Sequence, residues 1–150
     1  GFGTILLYGE HKKTISEGYR KTTNNRMEIL AVISGLEALK ERCEVTVFSD
    51  SKYVVDAVNK GWAQSWRAKG WKRGKNKAAL NPDLWERLLE LCEKHLVKFV
   101  WVKGHAGHPM NELADKIAVE ASQKSDLKID IIYENSPIDN QSEDFWGFDF

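Results

Sequence analysis

Val45-Thr46-Val47-Phe48-Ser49-Asp50-Ser51-Lys52-Tyr53-Val54-Val55-Asp56-Ala57-Val58-Asn59 is the stretch on which the fold turns. Residues 45–49 are rich in β-branched and aromatic side chains and read as a short strand, and residues 52–59 read as a helix that follows directly. A strand feeding straight into a helix is the building unit of an α/β sheet. Asp50 then falls at the carboxyl end of a strand, where such sheets place their sites.

On the amino-terminal side, residues 26–42 carry Ile29, Val32, Ile33 and Leu36 at helical spacing, with Asn24 and Asn25 as candidate caps. Before them, residues 3–8 and 14–19 are β-rich runs joined by the polar segment 9–13, a hairpin signal. On the other side, Asn81-Pro82-Asp83 opens a helix that places Leu84, Leu88, Leu91 and Cys92 on one face and runs to about His95. A strand at 97–102, a Gly-His loop at 104–109 and a helix over 110–122 complete the pattern. The expected fold is a mixed α/β sheet flanked by helices, in one domain over 1–124. An acidic tail follows over 125–150, with one short strand at 127–133 and disorder beyond it.

Composition narrows the function classes. No apolar run is long enough for a membrane span or a signal peptide, so a soluble, cytoplasmic, monomeric protein is expected. Cys43 and Cys92 have no partner spacing, which argues against a disulfide framework or a zinc site. The formal charge is zero, but the tail carries seven acids against Lys128 alone, which leaves the body a surplus of +6. Residues 60–77 hold seven cations and no acid, interleaved with Trp62, Trp66 and Trp71. A basic body of that kind suits a polyanionic ligand.

Three acids stand at informative places: Glu28 in the first turn of the first long helix, Asp50 at a strand end, and Asp115 in the last helix. Carboxylates gathered on one sheet edge bind hard divalent cations, and two such ions roughly 3.5–4 Å apart stabilise both oxygens of a phosphoryl displacement. That is nuclease chemistry.

Three groups of residues carry a family resemblance. They are Thr22-Thr23-Asn24-Asn25-Arg26-Met27-Glu28, Ser49-Asp50-Ser51, and Trp101-Val102-Lys103-Gly104-His105-Ala106-Gly107-His108-Pro109 with Asn111-Glu112 and Asp115. With the tryptophan-rich basic segment, they resemble bacterial type 1 ribonuclease H over nearly all of residues 1–124. The resemblance implies a ribonuclease H-like sheet of five strands and endonucleolytic hydrolysis of the RNA strand of RNA/DNA hybrids. It implies Mg²⁺, with Mn²⁺ as the alternative ion, two ions being held when substrate is bound. It assigns Glu28, Asp50 and Asp115 to metal and catalysis, and His105 to proton transfer. Thr23, Asn24 and Asn25 are matched to substrate contacts, and the basic protrusion brings Trp62, Trp66, Lys69, Trp71, Lys72 and Arg73. His108 is left structural.

The sequence departs from that pattern at its start. The family's opening strand, which is central in the sheet and ends in Asp-Gly-Ser, is not seen before Gly1-Phe2-Gly3. Three readings stand. The chain is a fragment of a longer product, or it folds as a catalytically inactive hybrid-binding domain, or residues 129–136 replace the strand with Glu134 in place of the Asp. Lys52 and Ser65 differ from residues common in the family. Two further readings compete on function: a related nuclease or integrase acting on DNA, and a docking role for the tail toward a protein partner.

Overall fold

The structure is a computed structural model that describes residues 1–74, 77–104 and 107–136, except for the side chains of residues 73 and 74. His105, the Arg73 side chain and the stretch 137–150 expected to be disordered therefore lie outside the described residues. Among the described residues no helix is long and apolar enough to cross a membrane.

The chain opens with β1 (Phe2–Tyr8) and β2 (His11–Glu17), paired antiparallel from Phe2↔Glu17 to Tyr8↔His11. Their turn is tighter than the five-residue connection expected: only Gly9 and Glu10 lie between the strands, and Gly9 takes the positive φ of 57° that a two-residue hairpin requires. Helix α1 (Asn24–Glu37) follows, and Thr23 rather than Asn24 or Asn25 caps it, accepting the Arg26 N–H at 3.2 Å. Strand β3 (Glu44–Ser49) runs into α2 (Lys52–Asn59), capped by Ser51, as the opening stretch predicts.

The basic segment is not one helix. Gly61 (φ +76°) ends the first piece; α3 (Trp62–Ala68) follows, and Gly70 and Trp71 both adopt left-handed backbone. A small antiparallel hairpin then forms from β4 (Lys72–Gly74) and β5 (Lys77–Ala78). Helix α4 (Pro82–Lys94), strand β6 (Leu96–Trp101), helix α5 (Pro109–Ser122) and a short helix α6 (Ile131–Glu134) complete the order. Strand β6 pairs parallel with β3, Glu44↔Leu96 through Ser49↔Trp101. Among the described residues no strand hydrogen bonding joins β1–β2 to β3–β6, so the mixed sheet is present as two pairs rather than five continuous strands.

Helices cover both faces of β1. The Thr4 hydroxyl donates to the Ala31 carbonyl of α1 at 2.6 Å. On the other face a Cβ at Gly3 would run into the Ala114 carbonyl and the Ile117 side chain of α5, so the absence of a side chain is what lets this helix approach. The core centres on α1 and α4: Ile29, Ile33, Leu36, Trp85 and Leu88 are enclosed, with Val54 of α2. The period read at Ile29, Val32, Ile33 and Leu36 is thus the buried face of α1. Ile33→Val removes one methylene from this packed region and is expected to cost about 0.5–1.5 kcal/mol, read as a lower urea midpoint at unchanged slope.

The C-terminal segment departs from expectation. Instead of a strand over 127–133, Lys128 makes an isolated parallel bridge with Tyr19, and residues 131–134 form α6, capped by Asp130. Nor do residues 129–136 stand in for a central strand. Glu134 pairs with Arg20 at 2.7 Å, because the alternating apolar run is drawn into a helical turn by the Asp130 cap.

Candidate active site

The site is built where α1, the end of β3 and the start of α5 converge. Because α1 begins at Asn24, Glu28 sits in its second turn rather than its first. Its carboxyl is pushed up to about 7, first by burial and then by the negative charges of Asp50 and Asp115. Two side chains can raise a third in this way only if all three fields meet, so acids 22 and 65 residues apart in sequence share one neighbourhood.

Asp50 is held from several sides. Its Oδ2 accepts a hydrogen bond from Asn111 Nδ2 at 3.2 Å, and its carbonyl accepts one from Trp101 Nε1 at 3.2 Å. Gly104 presses against it, since a Cβ there would stand 3.1 Å from Oδ2. Beneath it the Ser49 hydroxyl accepts the Ser51 N–H at 3.1 Å and fixes the turn from strand to helix. His108 has the structural role expected, capping α5 by accepting the Asn111 N–H at Nδ1, 3.2 Å away. The cap thereby also aims Asn111 at Asp50.

The donor set suits a hard divalent cation: three carboxylates around a partly dry spot, one of them driven toward its neutral form by burial and then by the charges of the other two. Even so, among the described residues no three His, Cys, Asp or Glu side chains stand close enough to form a ready-made metal cage. An ion of the Mg²⁺ type, which keeps several waters, makes less demand on such closeness than zinc does. A cleft of about 330 Å³ lies elsewhere, bordered by Tyr19, Arg26, Arg87, Lys128 and Ile132, and none of the three acids lines it.

The remaining residues that the sequence nominates divide by exposure. Asn24 is exposed and Thr23 half-buried, whereas Asn25 is buried at 5% exposure. Lys69 and Lys72 are exposed on the basic segment, and Trp62 and Trp71 pack partly against the core. Trp66 is a correction: at 3% exposure it lies in the core, edge-on to Trp85 with centroids 6.1 Å apart, and has no surface to offer a ligand. Sequence reasoning passed over Asn111 and Gly104 as partners of Asp50, although both stand in the motif around His105. Their signal was a small residue and an amide close to the loop. Cys92 is a half-buried thiol, pushed up to about 11 mainly by burial, and Cys43 is likewise unbridged, as expected.

The RNase H family model matches residues 1–123. A ribonuclease H of Syntrophus aciditrophicus is 63% identical over 130 residues, covering 87% of this chain and 75% of that protein. A ribonuclease H of Rippkaea orientalis is 57% identical over 139 residues, covering 93% and 85%. Among solved structures, a type 1 RNase H with the type 2 active-site motif superposes with a TM-score of 0.62 at 31% identity, over 79% of this chain and 59% of that one. The fold, the convergence of acids and these likenesses agree: the chain belongs to the ribonuclease H family.

Proposed function

We propose that the chain hydrolyses the RNA strand of RNA/DNA hybrids, with Glu28, Asp50 and Asp115 holding Mg²⁺ or Mn²⁺ at the scissile phosphate. The observation that carries this reading is the convergence of the three acids: Glu28 is raised to about 7 by burial first and then by the charges of Asp50 and Asp115, which must therefore lie close to it. When bound, two such ions supply charge stabilisation for the attacking and leaving oxygens of an in-line displacement, leaving a 3′-hydroxyl and a 5′-phosphate.

The protein's own residues do the rest. Asn111 orients the Asp50 carboxylate, and His105 carries a proton to or from the reacting oxygens. Thr23 and Asn24 meet phosphate oxygens and the 2′-hydroxyls of a wide, shallow minor groove, which separates a hybrid from DNA, with the buried Asn25 supporting them from behind. Lys69, Lys72 and Arg73 follow the phosphates, with Trp62 and Trp71 bracing the segment that carries them. Each cation that engages a phosphate adds about 0.9 to the slope of log affinity against log salt. Lys72→Ala is therefore expected to lower that slope by about 0.9, with little change in sequence preference, as measured by hybrid titration at several salt concentrations.

The test of the activity is incubation with a labelled hybrid, duplex RNA and duplex DNA, with Mg²⁺, with Mn²⁺ and with chelator. Metal-dependent scission of the hybrid RNA alone is expected; scission of duplex DNA instead would transfer the site to another nuclease class. A second reading carried over from the sequence is that the chain binds hybrid without cutting it. Salt-sensitive binding with no scission at any concentration of either ion would establish it.

A further inference from the structure

The family match ends at residue 123, yet the chain beyond it is docked onto the body. The Lys128 N–H donates to the Gly18 carbonyl at 2.8 Å, and the Arg20 N–H donates to the Lys128 carbonyl at 3.0 Å. These bonds extend the end of β2 and deliver Asp130, only 8% exposed, beneath the start of α1. There the Asp130 Oδ2 accepts from the Thr22 hydroxyl at 2.7 Å and from Arg26 Nε at 2.7 Å, while Oδ1 accepts from an Arg26 terminal nitrogen at 3.1 Å. Asp83 grips the other edge of the guanidinium at 2.9 and 2.7 Å.

One carboxylate thus fastens the residue before the α1 cap and the third residue of the helix itself. Between Thr22 and Arg26 lie Thr23 and Asn24, the positions assigned above to the hybrid's minor groove, and the buried Asn25 that supports them. Residues 20–23 lie outside every strand and helix, so few backbone bonds set their course. We infer that Asp130, acting through Thr22 and Arg26, is a positioning residue that holds the 22–26 turn in the shape needed to read an RNA/DNA hybrid. The inference rests on the proposed function. Its physical basis is preorganisation: a polar loop held in its bound geometry does not lose conformational freedom on meeting the groove, and its side chains point where the 2′-hydroxyls will be. Plain phosphate attraction through the basic segment does not need that shape.

The experiment compares the affinity of the full chain for hybrid and for duplex DNA of the same sequence at one salt concentration, with folding of each variant checked by circular dichroism. Thr22→Val deletes one hydrogen bond to Asp130 without touching charge, and Asp130→Asn weakens both grips. Both are expected to weaken hybrid binding about fivefold while leaving DNA binding unchanged, the scale of one misplaced hydrogen-bonding group. Thr22→Ser should restore discrimination. Glu134→Gln loosens the same segment at its exposed pair with Arg20 and should change neither affinity. Equal losses for hybrid and DNA, no loss in Thr22→Val, or the same loss in Glu134→Gln would each overturn the brace. If the unaltered chain binds hybrid no better than DNA, the proposed function falls and takes the brace with it. Discrimination that survives Thr22→Val removes the brace alone.

Discussion

Asp50→Asn is expected to lower the rate of hybrid cleavage about a thousandfold while leaving hybrid affinity unchanged or slightly higher. The amide keeps the size of the side chain and its contact with Asn111, but it removes a full negative charge from the trio. A carboxylate that holds a catalytic cation against a phosphate is worth several kcal/mol of transition-state stabilisation, and about 4 kcal/mol corresponds to three decades in rate. Binding follows a different balance. The hybrid is a polyanion, and taking away one of three gathered acids reduces repulsion toward its phosphates. Single-turnover cleavage and equilibrium binding, measured on the same preparation, separate the two effects. Asp56→Asn is the matched control: that acid lies six residues further on, within α2, paired with Lys60 at 3.7 Å, and should leave the rate alone. Turnover within tenfold of the original in Asp50→Asn would remove Asp50 from the metal site.

The same contrast between local and distant determinants explains what could be read from the sequence. The face of α1 and the strand-to-helix passage at Asp50 were legible because their signals are local: apolar residues three and four apart, and a β-branched run stopped by Asp50-Ser51. Pro82 likewise marked the start of α4, standing at its first turn. The course of the basic segment was not legible, because charge and tryptophan content say nothing about backbone. The breaks come from Gly61, from Gly70, and from Trp71, whose φ of 65° no propensity would assign to a bulky residue. Trp66 was misplaced for a related reason: three tryptophans in one cationic stretch look alike until packing turns one of them toward Trp85. Residues 129–133 alternate like a strand, yet the cap at Asp130 and its pairing with Arg26, 104 residues away, set the outcome. A contact at that separation leaves no periodic trace.

That same pairing should govern acid stability. Arg26 is 4% exposed and lies between Asp83 and Asp130, so Arg26→Ala strands two carboxylates against a cavity rather than merely deleting an ion pair. Losing one partner of a buried ionic cluster costs about 3–5 kcal/mol, far above the value of an exposed pair such as Arg87 with Glu37. Lysine at this position should recover little, because a single ammonium cannot meet both carboxylates edge-on. The pH dependence has a definite sign. Burial works to raise the Asp130 carboxyl, but hydrogen bonds from Arg26 and Thr22, the Arg26 charge and the Tyr133 N–H outweigh it and hold the group below its ordinary range. A carboxyl depressed in the folded state contributes fully above its unfolded value, near 4, and loses that contribution as pH falls through the folded value. The original chain should therefore lose stability below about pH 4, and the gap between it and Arg26→Ala should narrow over the same window. Urea melts at pH 7, 5, 4 and 3 measure this directly. A gap that stays constant down to pH 3 would remove the link to the Asp130 carboxyl, and a gap under about 1 kcal/mol at pH 7 would mean that the network is no stronger than a surface pair. The fold would then be held at this point by the apolar contacts of α1 and α4 alone.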